Sequence, residues 1–195
     1  TPLVKVADCF YNIQQIEGLM RKASEQSVQM IVFPELSITA YTCMDLFQQS
    51  VLITKAEKAL LQLVEQTKDL DMLTLVGVPL LTGNRLINAA VAFQHGEILA
   101  VIPKSYLPNY REFQEERWFV SAFDVEGEQV VIGSHAYPLH RLTLLDSAEV
   151  TVGVEICEDL WAPVPPSTYL AMQGAQVILN LSASNELIGK HSYRR

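Results

Sequence analysis

Three side chains able to do chemistry share one kind of local setting. Glu35 follows the apolar run Met30-Ile31-Val32-Phe33, just after Pro34. Lys104 follows the β-rich stretch 97–102, again just after a proline, Pro103. Cys157 follows the β-branched stretch 150–156 directly. Ligands and chemistry in sheet proteins gather where strands end and loops begin. A charge placed directly after an apolar strand is also partly desolvated, so its pKa can shift. A thiol must become a thiolate to attack a carbonyl. Glu35 can take its proton as general base. Lys104 can stabilise the thiolate and the oxyanion of a tetrahedral intermediate. This set needs no histidine, and His95, His135, His140 and His191 have no metal-ligand spacing. Position alone leaves ordinary alternatives open. Cys157 can be a small buried core residue, Glu35 a cap for a helix starting near Leu36, and Lys104 a solvated loop charge. Cys9 and Cys43 are read as core residues.

The elements that would position these residues can be read from periodicity. Asn12, with Gln15 three residues on, reads as the cap of a first helix whose apolar face is Ile13, Ile16, Met20 and Ala23. Residues 30–33 suit a short buried strand ended by Pro34. A second helix is expected over 51 to about 68, with Leu52, Ala56, Ala59, Leu60, Leu63 and Val64 as its stripe. Strands are expected over 73–80, 86–94 and 97–102, with turns at Thr82-Gly83-Asn84 and His95-Gly96. A polar, aromatic loop follows over 104–119, then a hairpin around Ser134 and a strand over 150–156. Pro165-Pro166-Ser167 opens a short helix ending near Gly174, and 176–181 is a last apolar strand. Helices interleaved with strands and hairpins indicate a layered α/β or α+β domain over residues 1–195.

Composition narrows the classes. With 195 residues, 49% hydrophobic and 18% charged, the chain can bury one sizeable core and is not of disordered type. Its net charge of −8 argues against a nucleic-acid partner, which needs clustered lysine and arginine. Three widely spaced cysteines do not form a disulfide framework, so a reducing, cytoplasmic setting is expected. No apolar run approaches the ~20 residues that span a bilayer, and no membrane partner or metal is expected. The start lacks the order of a signal peptide.

The segments around the three reactive residues resemble the carbon-nitrogen hydrolase (nitrilase) superfamily. Ile31-Val32-Phe33-Pro34-Glu35-Leu36 is similar to its glutamate motif, Pro103-Lys104-Ser105-Tyr106-Leu107 to its lysine motif, and Val154-Glu155-Ile156-Cys157-Glu158-Asp159-Leu160-Trp161 to its cysteine motif. All three occur in the right order. The resemblance implies a four-layer α-β-β-α sandwich and a Glu35, Lys104, Cys157 triad. Simple nitrilases often carry an aromatic residue after the cysteine. Here Glu158 stands there, as in the glutaminase domain of glutamine-dependent NAD synthetases. The loop from Leu107 to Phe119 and the stretch Tyr41-Thr42-Cys43-Met44-Asp45-Leu46-Phe47 are similar to that narrower family as well.

That resemblance implies hydrolysis of glutamine through a cysteine thioester, with ammonia passed to an ATP-dependent domain that amidates nicotinic acid adenine dinucleotide. It implies Tyr110 and Glu115 as site residues, Glu115 orienting Lys104 by an ion pair. It implies Glu158 and Ser184 as holding glutamine, Lys190 near its carboxylate, and Tyr41 as a pocket-wall or ammonia-exit residue. Asn185 departs from the family, which usually has proline there. No cofactor is implied in this domain; ATP and Mg belong to the synthetase domain, the expected partner within the same polypeptide. No Gly-rich ATP-binding loop is present here. The fold is expected to be incomplete at both ends, which would leave sheet edges open. A homo-oligomer is expected, as is a fragment that is marginal and inactive alone. The rival readings are a free-standing ω-amidase of nitrilase type and an inactive assembly scaffold.

Overall fold

The computed structural model describes residues 1–185 and 187–193. Helix α1, Cys9–Ser24, buries Cys9, Asn12, Ile13, Ile16 and Met20. Its cap is Asp8, whose Oδ1 accepts from the Tyr11 amide at 3.3 Å. Asn12 is therefore not the cap expected from the sequence. It lies inside the helix, fully buried, and its side chain accepts from the Lys5 amide at 2.7 Å and donates to the Lys5 and Ile38 carbonyls at 2.9 Å each. The same residue type serves either role, because a short carboxamide can satisfy a helix end or a neighbouring loop.

Strand β1, Met30–Val32, leads into the Glu35 turn. Two short 3-10 turns joined at a kink then cover Tyr41–Gln48, where Met44 has φ 51°. No periodicity marked this segment, since turns this short carry none. Helix α2, Ser50–Gln66, buries the six-residue stripe named above. Strands β2, Leu73–Thr82, β3, Arg85–Gln94, and β4, Glu97–Pro103, follow as a meander. The β3–β4 turn places His95 at φ 51° and Gly96 at φ 80°, the twist that suits two-residue hairpins. Strand order is β1-β2-β3-β4, with β1 parallel to β2 and the rest antiparallel.

Strands β5, Gln129–Ile132, and β6, His135–Pro138, form the hairpin around Ser134. A second sheet holds β7, Leu144–Asp146, β8, Thr151–Ile156, and β9, Val177–Leu181, in the order β7-β8-β9. Strand β7 is too short to announce itself in sequence. Helix α3, Pro166–Met172, crosses between the parallel pair β8 and β9; α4, Lys190–Tyr193, comes last.

Alternation within the strands builds the layers. Val76, Val78, Ile87, Ala89 and Val91 join α1 and α2 in one core. Leu75, Ala90, Ala92 and Ile102 point the other way and pack against Val154, Ile156 and Leu181 of the second sheet. On that sheet's outer face lies α3, so close that a Cβ on Gly153 would fall 3.0 Å from Leu170 Cβ. The order is helices, sheet, sheet, helix. No helix among the described residues is long and apolar enough to cross a membrane.

Candidate active site

Glu35, Lys104 and Cys157 project from strand ends at the seam between the two sheets. Glu35 sits on the turn after β1, and Leu36 beside it has φ 51°. That turn is pressed against β2: a Cβ on Gly77 would lie 2.2 Å from Leu36 N and 2.7 Å from Glu35 Cα. Only glycine allows the approach. Lys104 leaves β4 with its amide donating to Asn88 O at 2.8 Å.

The charged groups here are buried and fully engaged. Lys104 Nζ donates to Glu35 Oε1 at 2.6 Å and to Glu115 Oε1 and Oε2 at 2.7 and 2.9 Å. All three side chains are at most 1% exposed. Asn88 Nδ2 donates to Glu35 Oε1 at 2.7 Å and lies 3.4 Å from Glu115 Oε2. Tyr41 donates its hydroxyl to Glu115 Oε1 at 2.7 Å, and the Ala183 amide donates to Glu35 Oε2 at 3.3 Å. Two carboxylates thus share one ammonium. Burial works against the Lys104 charge, but Glu35 and Glu115 outweigh it and hold its pKa above the ordinary value. Burial pushes Glu115 up; Lys104 offsets this only in part, and the nearby charge of Glu35 adds to the rise.

Cys157 opens a 3-10 turn, Cys157–Trp161, with φ 48°. For a residue with a Cβ this left-handed backbone costs about 1–2 kcal/mol, and such strain persists where the surroundings impose it. Asp159 ties the turn down: Oδ2 accepts from the Ile156 amide at 2.9 Å, Oδ1 from the Ser105 and Tyr106 amides at 3.1 and 2.7 Å. Burial nonetheless pushes Asp159 up to about 7, against the lowering effect of those amides. Asn180 contacts the Cys157 main chain, and Ser182 Oγ lies 3.4 Å from Cys157 Sγ. Burial, then the charge of Glu35, pushes the Cys157 thiol up to about 12, with Lys104 opposing. At neutral pH the Cys157 side chain is therefore held as a neutral thiol.

A cavity of about 730 Å³ opens on Cys157, lined among others by Tyr110, Arg111, Glu158, Ser184 and Lys190. Tyr110 donates its hydroxyl to the Glu158 carboxylate at 2.9 and 3.0 Å. Lys190 Nζ donates to Ser184 Oγ at 2.6 Å and to Asn185 O and Oδ1 at 2.8 and 2.5 Å. Asn185, the departure from the family pattern, also donates its side-chain amide to Glu112. The residues singled out from sequence therefore fall into two groups. Glu35, Lys104, Cys157, Glu115 and Tyr41 form one buried cluster; Tyr110, Glu158, Ser184 and Lys190 line the adjoining cavity.

Asn88, Asn180, Asp159 and Arg111 are at the site without having been singled out. The first two interrupt apolar strands, and a lone polar residue in such a run was the signal available. Among the described residues, no cluster of three or more His, Cys, Asp or Glu could hold a metal.

The family model "Carbon-nitrogen hydrolase" matches residues 2–192. The glutamine-dependent NAD(+) synthetase of Mycobacterium leprae is 37% identical over 193 residues, 97% of this chain and 28% of that protein. That of Aquifex aeolicus is 32% identical over 189 residues, 97% of this chain and 30% of that protein. The chain spans under a third of the length of these relatives. Among solved structures, the glutamine-dependent NAD(+) synthetase from Cytophaga hutchinsonii superposes with a TM-score of 0.86 at 24% identity, over 100% of this chain and 31% of that one. A Nesterenkonia amidase from the nitrilase superfamily gives 0.76 at 20% identity, over 99% and 66%. At those identities the structural likeness speaks for the fold, a nitrilase-type α-β-β-α sandwich. With the motifs, the buried cluster and a family match over nearly its whole length, the chain belongs to the carbon-nitrogen hydrolase family.

Proposed function

We propose that the domain hydrolyses glutamine to glutamate and ammonia through a thioester on Cys157. The observation that carries this is Lys104 shared between Glu35 and Glu115 beside a buried thiol, at a cavity carrying charges of both signs. A thiol held up at about 12 does not ionise in advance. Its proton passes to the Glu35 carboxylate as Sγ attacks the side-chain amide carbon of glutamine. The carbonyl electrons move onto oxygen, and the Lys104 ammonium stabilises that oxyanion. Glu35, now neutral, gives the proton to the departing nitrogen; the C–N bond breaks and ammonia leaves. Water then attacks the thioester while Glu35 takes its proton, glutamate departs, and the proton returns to the sulfur.

Free glutamine is a zwitterion. Glu158 suits its α-ammonium. Lys190 suits its α-carboxylate, and so does Arg111, a guanidinium that lines the same cavity. The similarity to glutamine-dependent NAD(+) synthetases supports the further reading that the ammonia serves an ATP-dependent synthetase domain of the same polypeptide, which amidates nicotinic acid adenine dinucleotide to NAD. In the complete polypeptide, Cys157→Ala should abolish glutamine-driven NAD synthesis and spare synthesis from added ammonia. Equal loss with both nitrogen donors would overturn the proposal.

A further inference from the structure

One half-buried side chain outside the proposed chemistry touches the nucleophile's own backbone twice. Asn180 Oδ1 accepts from the Cys157 amide at 3.2 Å, and Asn180 Nδ2 donates to the Cys157 carbonyl at 3.3 Å. The same Nδ2 donates to Glu155 Oε1 at 3.3 Å. Glu155 is 1% exposed, and its Oε2 accepts from the Ser167 amide in the first turn of α3 at 3.0 Å. Glu155 and Asn180 stand directly opposite each other in the parallel β8–β9 pair. Val154, Ile156 and Leu181 face the seam between the sheets, so by strand alternation Glu155 and Asn180 face α3. Cys157 is therefore gripped from the outer layer, while Glu35 and Lys104 approach from the first sheet.

The chemistry of this contact is specific to a carboxamide. One group must accept from the Cys157 amide and donate to its carbonyl. Aspartate can only accept, and leucine, of the same size, can do neither. The Glu155 carboxylate only accepts, so it turns the amide nitrogen toward itself and leaves Oδ1 for the Cys157 amide. The residue so held is the one with φ 48°.

We propose that Asn180 is a positioning residue, which holds the Cys157 main chain in its left-handed conformation and so aims Sγ at Glu35 and Lys104, with Glu155 and the start of α3 holding Asn180 in turn. This rests on the reading of Cys157 as the nucleophile. The test uses the complete polypeptide carrying Asn180→Asp, Asn180→Leu or Glu155→Gln. Glutamine turnover is measured per site titrated with 6-diazo-5-oxo-norleucine, with kcat and KM separated. Misaimed reacting atoms should lower kcat about 100-fold in the Asn180 variants and about 10-fold in Glu155→Gln, with KM within about 3-fold and ammonia-driven synthesis unchanged.

A purely structural Asn180 would lower the melting temperature and the number of titratable sites, but not kcat per site. A kcat per site within about 2-fold of the unsubstituted enzyme, or a loss carried by KM alone, overturns the proposal. If neither Asn180 variant folds, Glu155→Gln decides by the same criterion. Turnover that survives Cys157→Ala would instead sink the nucleophile reading. A dead Cys157→Ala beside unimpaired Asn180 variants sinks only the positioning role.

Discussion

Replacing Glu35 with glutamine separates two effects that usually travel together. Burial and the Glu35 charge hold the Cys157 thiol at about 12. Forming its thiolate at pH 7 therefore costs about 7 kcal/mol, five units at 1.36 kcal/mol each. Glu35→Gln removes one of the two negative charges around Lys104 and keeps the side chain's size. A unit charge about 4 Å away, at an effective dielectric constant of about 20, is worth about 4 kcal/mol, or about 3 pKa units. The variant thiol should thus titrate near pH 9, and near pH 8 about a tenth of it should be thiolate. Yet turnover should fall by about 10²–10⁴, because the proposed general base is gone. The assay is thiolate absorbance against pH, with Cys157→Ala subtracted to remove Cys9, itself pushed up to about 11 by burial, and Cys43. The unsubstituted protein should show no Cys157 thiolate below about pH 10, two units under its midpoint. A variant midpoint unchanged or higher would refute the charge argument, and one that moves down with turnover retained would refute Glu35 as the base.

Gly77→Ala places a Cβ 2.2 Å from Leu36 N; with backbone on both sides it should cost about 1–3 kcal/mol or more, read by chemical denaturation, and a neutral result would contradict the close approach. Glu158→Gln should raise KM for glutamine about 10-fold or more with kcat little changed, and should leave an ω-amide lacking the α-ammonium almost unaffected; equal effects on both would remove Glu158 from ammonium recognition. Asp159, raised to about 7 by burial, binds its proton more tightly folded than unfolded, so its contribution to stability is greatest below about pH 4 and is lost as pH rises to about 7. Unfolding free energies at about pH 4 and pH 7.5 should show that fall, up to about 4 kcal/mol, in the unsubstituted protein and not in Asp159→Asn; identical slopes would count against it.

Strands β2, β3 and β4 were legible because the apolar runs flanking Gly83 and His95-Gly96 are long and their turn residues specific. The α2 stripe repeated over enough turns to be unmistakable. Asn12 misled because helix caps and loop anchors use the same short side chain. Tyr41–Gln48 and β7 were not legible because elements of so few residues carry no period. At the site, Glu35, Lys104 and Cys157 share one position, just past a strand, which leaves core, cap and surface roles open until their motifs are compared with the carbon-nitrogen hydrolase family. Asn88, Asn180 and Asp159 were not legible. Their partners are 53, 23 and 53 or more residues away or are backbone atoms, so only the closed fold reveals what they hold.

The two sheets contribute different halves of the proposed chemistry, and this sets what must be kept rigid. Glu35 and Lys104 come from the ends of β1 and β4 in one sheet, Cys157 from the end of β8 in the other. Apolar packing between Leu75, Ala90, Ala92 and Ile102 on one side and Val154, Ile156 and Leu181 on the other holds the sheets together. Packing is non-directional, however, and fixes distance better than angle. Besides the hold of Asn180 on the Cys157 main chain, directional contacts come from Asp159, which accepts from Ser105 and Tyr106 next to the lysine and from Ile156 next to the cysteine. Its two oxygens bridge the Lys104 loop to the Cys157 turn. Protonation turns one of those oxygens into a donor and leaves fewer acceptors facing three amide hydrogens. Ionised Asp159 therefore satisfies all three amides best, although the buried charge then costs the fold stability. The three amides favour the ionised carboxyl and burial favours the neutral one, and burial prevails.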